Sequence, residues 1–438
     1  MATLSIIGIL VGLVLMCFLM FKGIHPLIAA VAASAVIALT GGLNVYEALT
    51  GEYMAGFVGF IQSNFPIFVT GAFLGKVYEV TNGATAIAHL LVKAVGKRFS
   101  AIVVPLAISV MTFCGIVGYV VCFAMFPIAL AVYREADIPR RFIPTAIVVG
   151  CCTFTSYMPF EAQVPNVSAT NILGTSLSAG AVIGTFAGLL QAVISMALLT
   201  ILVSYAQKRG EHFVAHADDK FGDDSACPGG VAALVPLIIT LVAINIKDGS
   251  GNAYIPVEAG ILAGSILAYI VMRKYHTDGT NILGHAATAI GNAIISAAAT
   301  SALVAVGTVT KATAGWDPLI NALTSIPGPA LLSASVGGIL FGGVCASASG
   351  ATALTAELFG SIYAAKGVTM TALHRTLVTA CHVGGTLPNN GFINTVVVGI
   401  CKDTYKNTYG PMFLCVPVSI LGATVVSVIL FTLFPGLP

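Results

Sequence analysis

The chain has 438 residues, of which 57% are hydrophobic and 8% are charged, with a formal net charge of +2. A soluble domain carries about 25% charged residues, so this composition excludes a soluble protein. It predicts an all-α integral membrane protein. At about 20 apolar residues per crossing, the length allows roughly 10–12 transmembrane segments. Lysine and arginine are spread thinly, which excludes a nucleic-acid partner. The ten cysteines form no C-x-x-C pair, so we expect no disulfide framework and no metal site.

A short pattern occurs twice along the chain. Pro165-Asn166-x4-Asn171 recurs 223 residues later as Pro388-Asn389-x4-Asn394, and other Gly, Pro and Lys landmarks recur in the same order. We therefore expect a first repeat over residues 1–206, a hydrophilic linker over 207–229 and a second repeat over 230–438. The charges of the linker predict that it is solvated. If each repeat has an odd number of crossings, the two repeats are inverted in the membrane.

Two prolines, Pro159 and Pro165, interrupt the first repeat. Each removes a backbone donor and clashes with the preceding turn, which predicts a broken helix over about 153–175. Polar, unwound backbone at membrane depth is tolerated where it is buried in protein or lines a water-filled cavity. An extramembrane loop is the alternative. The substrate-binding candidates in this segment are Asn166, Ser168, Thr170 and Asn171.

In the second repeat, Pro388 predicts a broken helix over about 382–400. Its amide side chains are neutral hydrogen-bond donors, which suit a polyhydroxylated or carboxylate ligand. Their carbonyl oxygens also suit a cation. The substrate-binding candidates in this segment are Thr386, Asn389, Asn390, Asn394 and Thr395.

Stretches rich in small residues precede both broken segments and predict re-entrant hairpins at about 99–125 and 328–356. Near the second tip, Ser347, Ser349 and Thr352 are further substrate-binding candidates, because the N–H groups at a helix N-terminus favour an anion. Close packing of helices through small residues is the alternative interpretation.

Ionisable side chains inside a membrane segment are functional hypotheses by default, and three are coupling candidates. Glu161 lies within the first broken segment, where it would carry a proton; a loop carboxylate in water is the alternative. His382 lies at the start of the second broken segment, and a core histidine with satisfied hydrogen bonds is the alternative. Glu357 follows the second hairpin tip and would be paired inside the bundle.

Taken in order, these segments resemble the gluconate permease family, within a larger superfamily of ion transporters. The likeness lies in the stretches Gly71 to Val104, Pro159 to Pro165 and Ser347 to Ala356. The resemblance implies an inner-membrane symporter of sugar acids or other hydroxycarboxylates, usually coupled to protons. It also implies an elevator-type transporter with a fixed scaffold and a moving part that holds the hairpins and the broken helices.

We therefore expect a multi-pass secondary transporter in the inner (plasma) membrane that takes up a small organic anion together with a cation. Protons are the expected coupling ion, and sodium is the nearest alternative. A passive channel and an intramembrane enzyme are the alternatives of another class, although no matched nucleophile and base favours an enzyme. The expected partners are the substrate and the lipid bilayer, with homodimer formation left open, and no cofactor is expected.

Overall fold

The computed structural model describes residues 2–96, 99–113, 118–153, 158–161, 163–219, 227–246, 254–276 and 281–437. These ranges are helical, with short 3-10 and π segments and no β-strand. The helices up to residue 208 are α1 (Ala2–Phe21), α2 (Pro26–Thr40), α3 (Val45–Thr50), α4 (Glu52–Val80), α5 (Gly83–Val95), α6 (Ser100–Phe113), α7 (Gly118–Glu135), α8 (Ile143–Thr153), α9 (Val164–Leu173) and α10 (Ala181–Lys208).

The later helices repeat this order of long and short elements. They are α11 (Gly230–Asn245), α12 (Val257–Met272), α13 (Ile282–Lys311), α14 (Trp316–Thr324), α15 (Ala330–Val344), α16 (Ala348–Ala365), α17 (Met370–Gly384), α18 (Gly391–Asn394), α19 (Tyr405–Phe413) and α20 (Ser419–Leu433). Helix α18 continues directly as a π-helix over Thr395–Ile400. Polar caps set several starts, since the side chains of Asn44, Asn281 and Thr369 accept N–H bonds in the first turns of α3, α13 and α17.

Within the described ranges, five helical segments are long and apolar enough to cross a membrane: Ala2–Phe21, Val45–Val80, Ala181–Lys208, Ile282–Lys311 and Tyr405–Leu433. Shorter apolar helices accompany them, including those of the two predicted hairpins. Many large apolar side chains on these helices are exposed, as expected of surfaces that face lipid rather than water. The protein is therefore an all-α, multi-pass membrane protein.

Helix packing occurs in matched pairs. Helix α1 packs on α2 as α11 packs on α12, and α6 packs on α8 as α15 packs on α17. Helix α2 packs on α13, and its counterpart α12 packs on α4, while α4 and α13 pack on each other along their length. The division of the chain into two repeats remains a prediction.

The proline-containing segments interrupt the helices where the sequence predicts. Helix α8 ends at Thr153 and α9 begins at Val164, while α17 ends at Gly384 and α18 begins at Gly391. The second predicted hairpin is formed by α15 and α16, which meet at residues 345–347. The first is formed by α6 and α7; its tip at 114–117 lies outside the described residues.

Most residues in the described parts of the predicted linker, 207–219 and 227–229, are exposed, but two of its carboxylates pair with arginines. Asp219 forms a bidentate ion pair with Arg140, with both nitrogen–oxygen distances 2.6 Å and both side chains 3% exposed. Beside it, Glu211 pairs with Arg141 at 2.7 and 2.9 Å near the surface. Asp403 of the second repeat lies 3.7 Å from Arg140. The linker is therefore docked between loops of both repeats, and residues 220–226 lie outside the described part.

Candidate functional site

The two hairpins and the two interrupted segments meet around one cavity of about 130 Å³. Three helices begin at its edge: α9 at Val164, α16 at Ala348 and α18 at Gly391. The lining residues come from all four segments and from the end of α8: Thr112, Gly118, Tyr119, Cys151, Cys152, Gln163, Val164, Pro165, Ala346, Ser347, Ala348, Ser349, His382, Gly385, Thr386, Asn390 and Phe392.

Glycines bring the second hairpin against the second interrupted segment. A Cβ on Gly384 would lie 1.9 Å from the carbonyl oxygen of Ile339, and one on Gly342 would lie 2.3 Å from that of Cys381. Real Cβ atoms essentially never approach so closely, so α15 and α17 touch through their backbones. This close approach places the hairpin tip at the start of α18.

Two asparagines then fix the tip in place. The Asn389 amide donates to the carbonyl of Gly343 at 2.6 Å, and the Asn390 amide donates to that of Ala346 at 3.0 Å. The Asn390 side-chain oxygen also accepts from the backbone N–H groups of Phe392 and Ile393, which caps α18. The two asparagines of the second Pro-Asn motif therefore join the second hairpin to the start of α18 through hydrogen bonds.

The first interrupted segment is held in a similar way. The Gln163 amide donates to the carbonyl of Thr112 on α6 at 2.9 Å. The Glu161 carboxylate accepts from the backbone N–H of Gln163 at 2.9 Å through Oε1, and the Asn166 amide donates to the Glu161 carbonyl at 2.6 Å. Glu161 is fully buried, and no described residue donates a hydrogen bond to its Oε2.

Two buried residues of α17 that the sequence reasoning missed join the repeats. His374 contacts the Asn166 side-chain oxygen through Nε2 and the Thr175 hydroxyl through Nδ1, each at 2.6 Å. Arg375 is 1% exposed and donates to backbone carbonyls of the loop before α10, including that of Leu177 at 2.8 Å. Arg375 could have been predicted from the sequence, because a charged residue within an apolar segment of a membrane protein indicates a functional region.

The cavity is polar without carrying a fixed charge. None of its described lining residues is Lys, Arg, Asp or Glu, and His382 is the one imidazole among them. The starts of α9 and α16 instead supply partial positive charge, which favours an anion. The first N–H groups of α18 are already bonded to Asn390 and Ala346. Tyr119 and Phe392 close one side with their rings edge to face at 5.3 Å. The site can therefore hold a small anion with hydrogen-bonding groups.

The structure separates the predicted substrate-binding residues into three groups. Ser347, Ser349, Thr386 and Asn390 line the cavity. Asn166 and Asn389 are buried behind it and bond to protein groups. The remainder do not line the cavity: Ser168, Thr170, Asn171, Thr352, Asn394 and Thr395.

The three coupling candidates also separate. His382 lines the cavity. Glu161 is buried two positions before Gln163, which lines the cavity. Position 162 between them lies outside the described residues. Glu357 is exposed on α16. The described residues form no ion pair with it, which differs from the expected pairing inside the bundle.

Interrupted helices around a buried polar cavity, in a multi-pass helical protein, are the features of a membrane transporter rather than an enzyme. The model of the GntP family permeases matches residues 4–358, and the chain belongs to this family.

Relatives share moderate identity with the chain. A transporter of Bacillus subtilis (strain 168), YxjC, is 25% identical over 93% of this chain and 95% of its own length. The high-affinity gluconate transporter of Escherichia coli (strain K12) is 26% identical over 54% of this chain and 51% of its own length. The solved YdaH transporter of Alcanivorax borkumensis aligns over 89% of both chains at 16% identity with a TM-score of 0.41.

Proposed function

We propose that this permease is a secondary active transporter that takes up a small organic anion, a sugar acid or other hydroxycarboxylate, across the inner (plasma) membrane. One observation carries the proposal: three helices begin at a cavity whose described lining has no fixed charge. Helix N-termini stabilise a carboxylate, while neutral hydroxyl and amide groups suit the hydroxyls of the same ligand. Family membership and the gluconate relative support the same substrate class.

Within the cavity, the substrate contacts are Ser347, Ser349, Thr386 and Asn390. Ser349 is the second residue of α16, so a carboxylate beside its hydroxyl also lies at the N-terminus of that helix. Asn390 already donates to one carbonyl and accepts two N–H bonds, which leaves one amide hydrogen for the ligand.

An inverted repeat and an elevator-type movement remain part of the proposal. The hydroxyls of Ser195 and Ser419 lie 2.8 Å apart, are both buried, and are 224 residues apart in the chain. That separation is close to the 223-residue spacing of the Pro-Asn motif. A residue and its counterpart meet only at a pseudo-twofold axis, so this contact supports an axis between α10 and α20. The moving part would contain α6–α9 and α15–α18.

Glu161 is the proposed carrier of the coupling proton. Its Oε2 is buried with no hydrogen-bond partner among the described residues, which costs far more for an ionised carboxylate than for a protonated one. Its Oε1 bonds to the N–H of Gln163, whose side chain lines the cavity. A change of charge on Glu161 therefore acts directly on the edge of the substrate site.

Sodium coupling is a second candidate, and Asn394 favours it. Both side-chain atoms of Asn394 are buried without a described partner. The hydroxyls of its neighbour Thr395 and of Thr300 lie 2.7 Å apart, and they lie 3.1 and 3.2 Å from the Gly391 carbonyl oxygen. Oxygen atoms of this kind bind hard cations.

Gluconate uptake into proteoliposomes distinguishes these proposals. We expect saturable uptake driven by an inward proton gradient in sodium-free buffer. Glu161→Gln should retain gluconate exchange between the two sides and lose accumulation against a gradient, while the exposed Glu357→Gln should resemble wild type. Uptake that requires sodium contradicts the proton proposal and favours the Asn394 region. A flux that does not saturate would indicate a channel.

A further inference from the structure

We propose that His382 determines substrate specificity by accepting a hydrogen bond from a substrate hydroxyl through Nε2, so that the site selects hydroxylated carboxylates over their deoxy analogues. This inference rests on the proposed function and gives His382 a role different from proton coupling.

The protonated ring nitrogen of His382 is set by its own helix. Its Nδ1 lies 2.7 Å from the backbone carbonyl oxygen of Val378, one turn earlier in α17. A carbonyl oxygen only accepts hydrogen bonds, so Nδ1 must carry the hydrogen. In a neutral imidazole the other nitrogen then has a lone pair and no hydrogen. Nε2 is therefore a fixed acceptor.

The position of the ring makes this acceptor available to a ligand. His382 lines the cavity and is 4% exposed, and no described residue donates a hydrogen bond to Nε2. The described lining also holds no carboxylate that would stabilise a charged imidazolium. The Thr386 hydroxyl beside it donates to the His382 carbonyl at 2.9 Å, so that hydroxyl hydrogen is already committed within the helix.

The hydroxyls of Ser347 and Ser349 and the remaining amide hydrogen of Asn390 can donate to the oxygens of a carboxylate. An acceptor such as Nε2 cannot bond a carboxylate and needs a ligand O–H. A deoxy ligand would leave this buried acceptor without a partner, which makes sites built for a hydroxyl discriminate strongly. For one neutral hydrogen bond we expect the deoxy analogue to bind about 10- to 100-fold more weakly.

Binding of gluconate and its monodeoxy analogues to the purified full-length protein tests this inference. Wild type should discriminate against at least one deoxy position by about 10- to 100-fold. His382→Leu should bind gluconate and that analogue nearly equally, because gluconate affinity falls and analogue affinity does not. His382→Gln, which retains an acceptor oxygen, should recover part of the discrimination.

A spectroscopic readout keeps the test decisive if His382→Leu does not fold. In protein labelled with ¹⁵N-histidine, the His382 Nε2 resonance is the one that is missing in His382→Gln. Gluconate should shift this resonance, and the discriminated deoxy analogue should leave it unchanged. Full discrimination in His382→Leu, or equal shifts with both ligands, overturns the role of His382 while leaving the proposed function in place. Failure of wild type to bind any hydroxycarboxylate overturns both.

Discussion

The docked linker gives a quantitative prediction, because two neighbouring arginine–carboxylate pairs differ mainly in burial. The Arg140–Asp219 pair is 3% exposed on both sides, whereas Arg141 and Glu211 are 28% and 38% exposed. Removing one partner of a buried pair costs about 3–5 kcal/mol. Asp219→Asn falls at the lower end, about 3 kcal/mol, because Asp403 still lies 3.7 Å from Arg140. An exposed pair contributes at most about 1 kcal/mol.

Limited proteolysis measures this difference, since trypsin cleaves after the exposed Arg209 only when the linker leaves its docked position. When opening is fast relative to cleavage, the rate follows the open population. A cost of about 3 kcal/mol raises that population about 100-fold, at tenfold per 1.4 kcal/mol. We expect the cleavage rate to rise about 100-fold in Asp219→Asn and less than about fivefold in Glu211→Gln. Each rate is normalised to cleavage of the unfolded chain.

Equal cleavage rates in the two variants would refute this reasoning, because they would show that burial of the Arg140–Asp219 pair does not hold the linker.

Two further predictions concern the cavity. Gly384→Ala places a methyl group against the Ile339 carbonyl, so it should lower the melting temperature and weaken ligand binding by forcing α15 and α17 apart, at a cost of about 3 kcal/mol. Gly422→Ala in α20, with open space around it, should be neutral in both measurements. Cys152 lines the cavity, so bound substrate should slow its alkylation by N-ethylmaleimide, as followed by mass spectrometry, while labelling of Cys17 on α1 stays unchanged. Substrate-independent labelling of Cys152 would contradict the position of the site.

Local chemistry made the interruptions partly predictable. The observed breaks lie beside Pro165 and Pro388. Proline alone does not determine them, because Pro66, Pro105 and Pro127 lie inside α4, α6 and α7. The class of the protein was predictable from its composition, because an 8% share of charged residues cannot solvate a chain of this length.

The roles of individual polar residues depended on distant partners, which no local pattern encodes. Asn389 was expected to bind substrate, yet its amide bonds to the Gly343 carbonyl 46 residues earlier. Asn166 faces His374, 208 residues later, and Arg375 reaches carbonyls almost 200 residues earlier. Asp219 likewise looked like a solvated linker charge until its pairing with Arg140, 79 residues earlier, became visible.

The central claim, that the cavity binds a small hydroxylated anion, is tested most directly by ligand-dependent thermal stability of three proteins. Gluconate or a related hydroxy acid should stabilise wild type progressively, by about 2.7 kcal/mol at 100 times the dissociation constant. Thr352→Val, a buried change on α16 outside the cavity, should respond equally. Ser349→Leu, which fills the cavity from the same helix, should show no stabilisation. The same ligand-dependent rise in Ser349→Leu as in wild type would contradict the account.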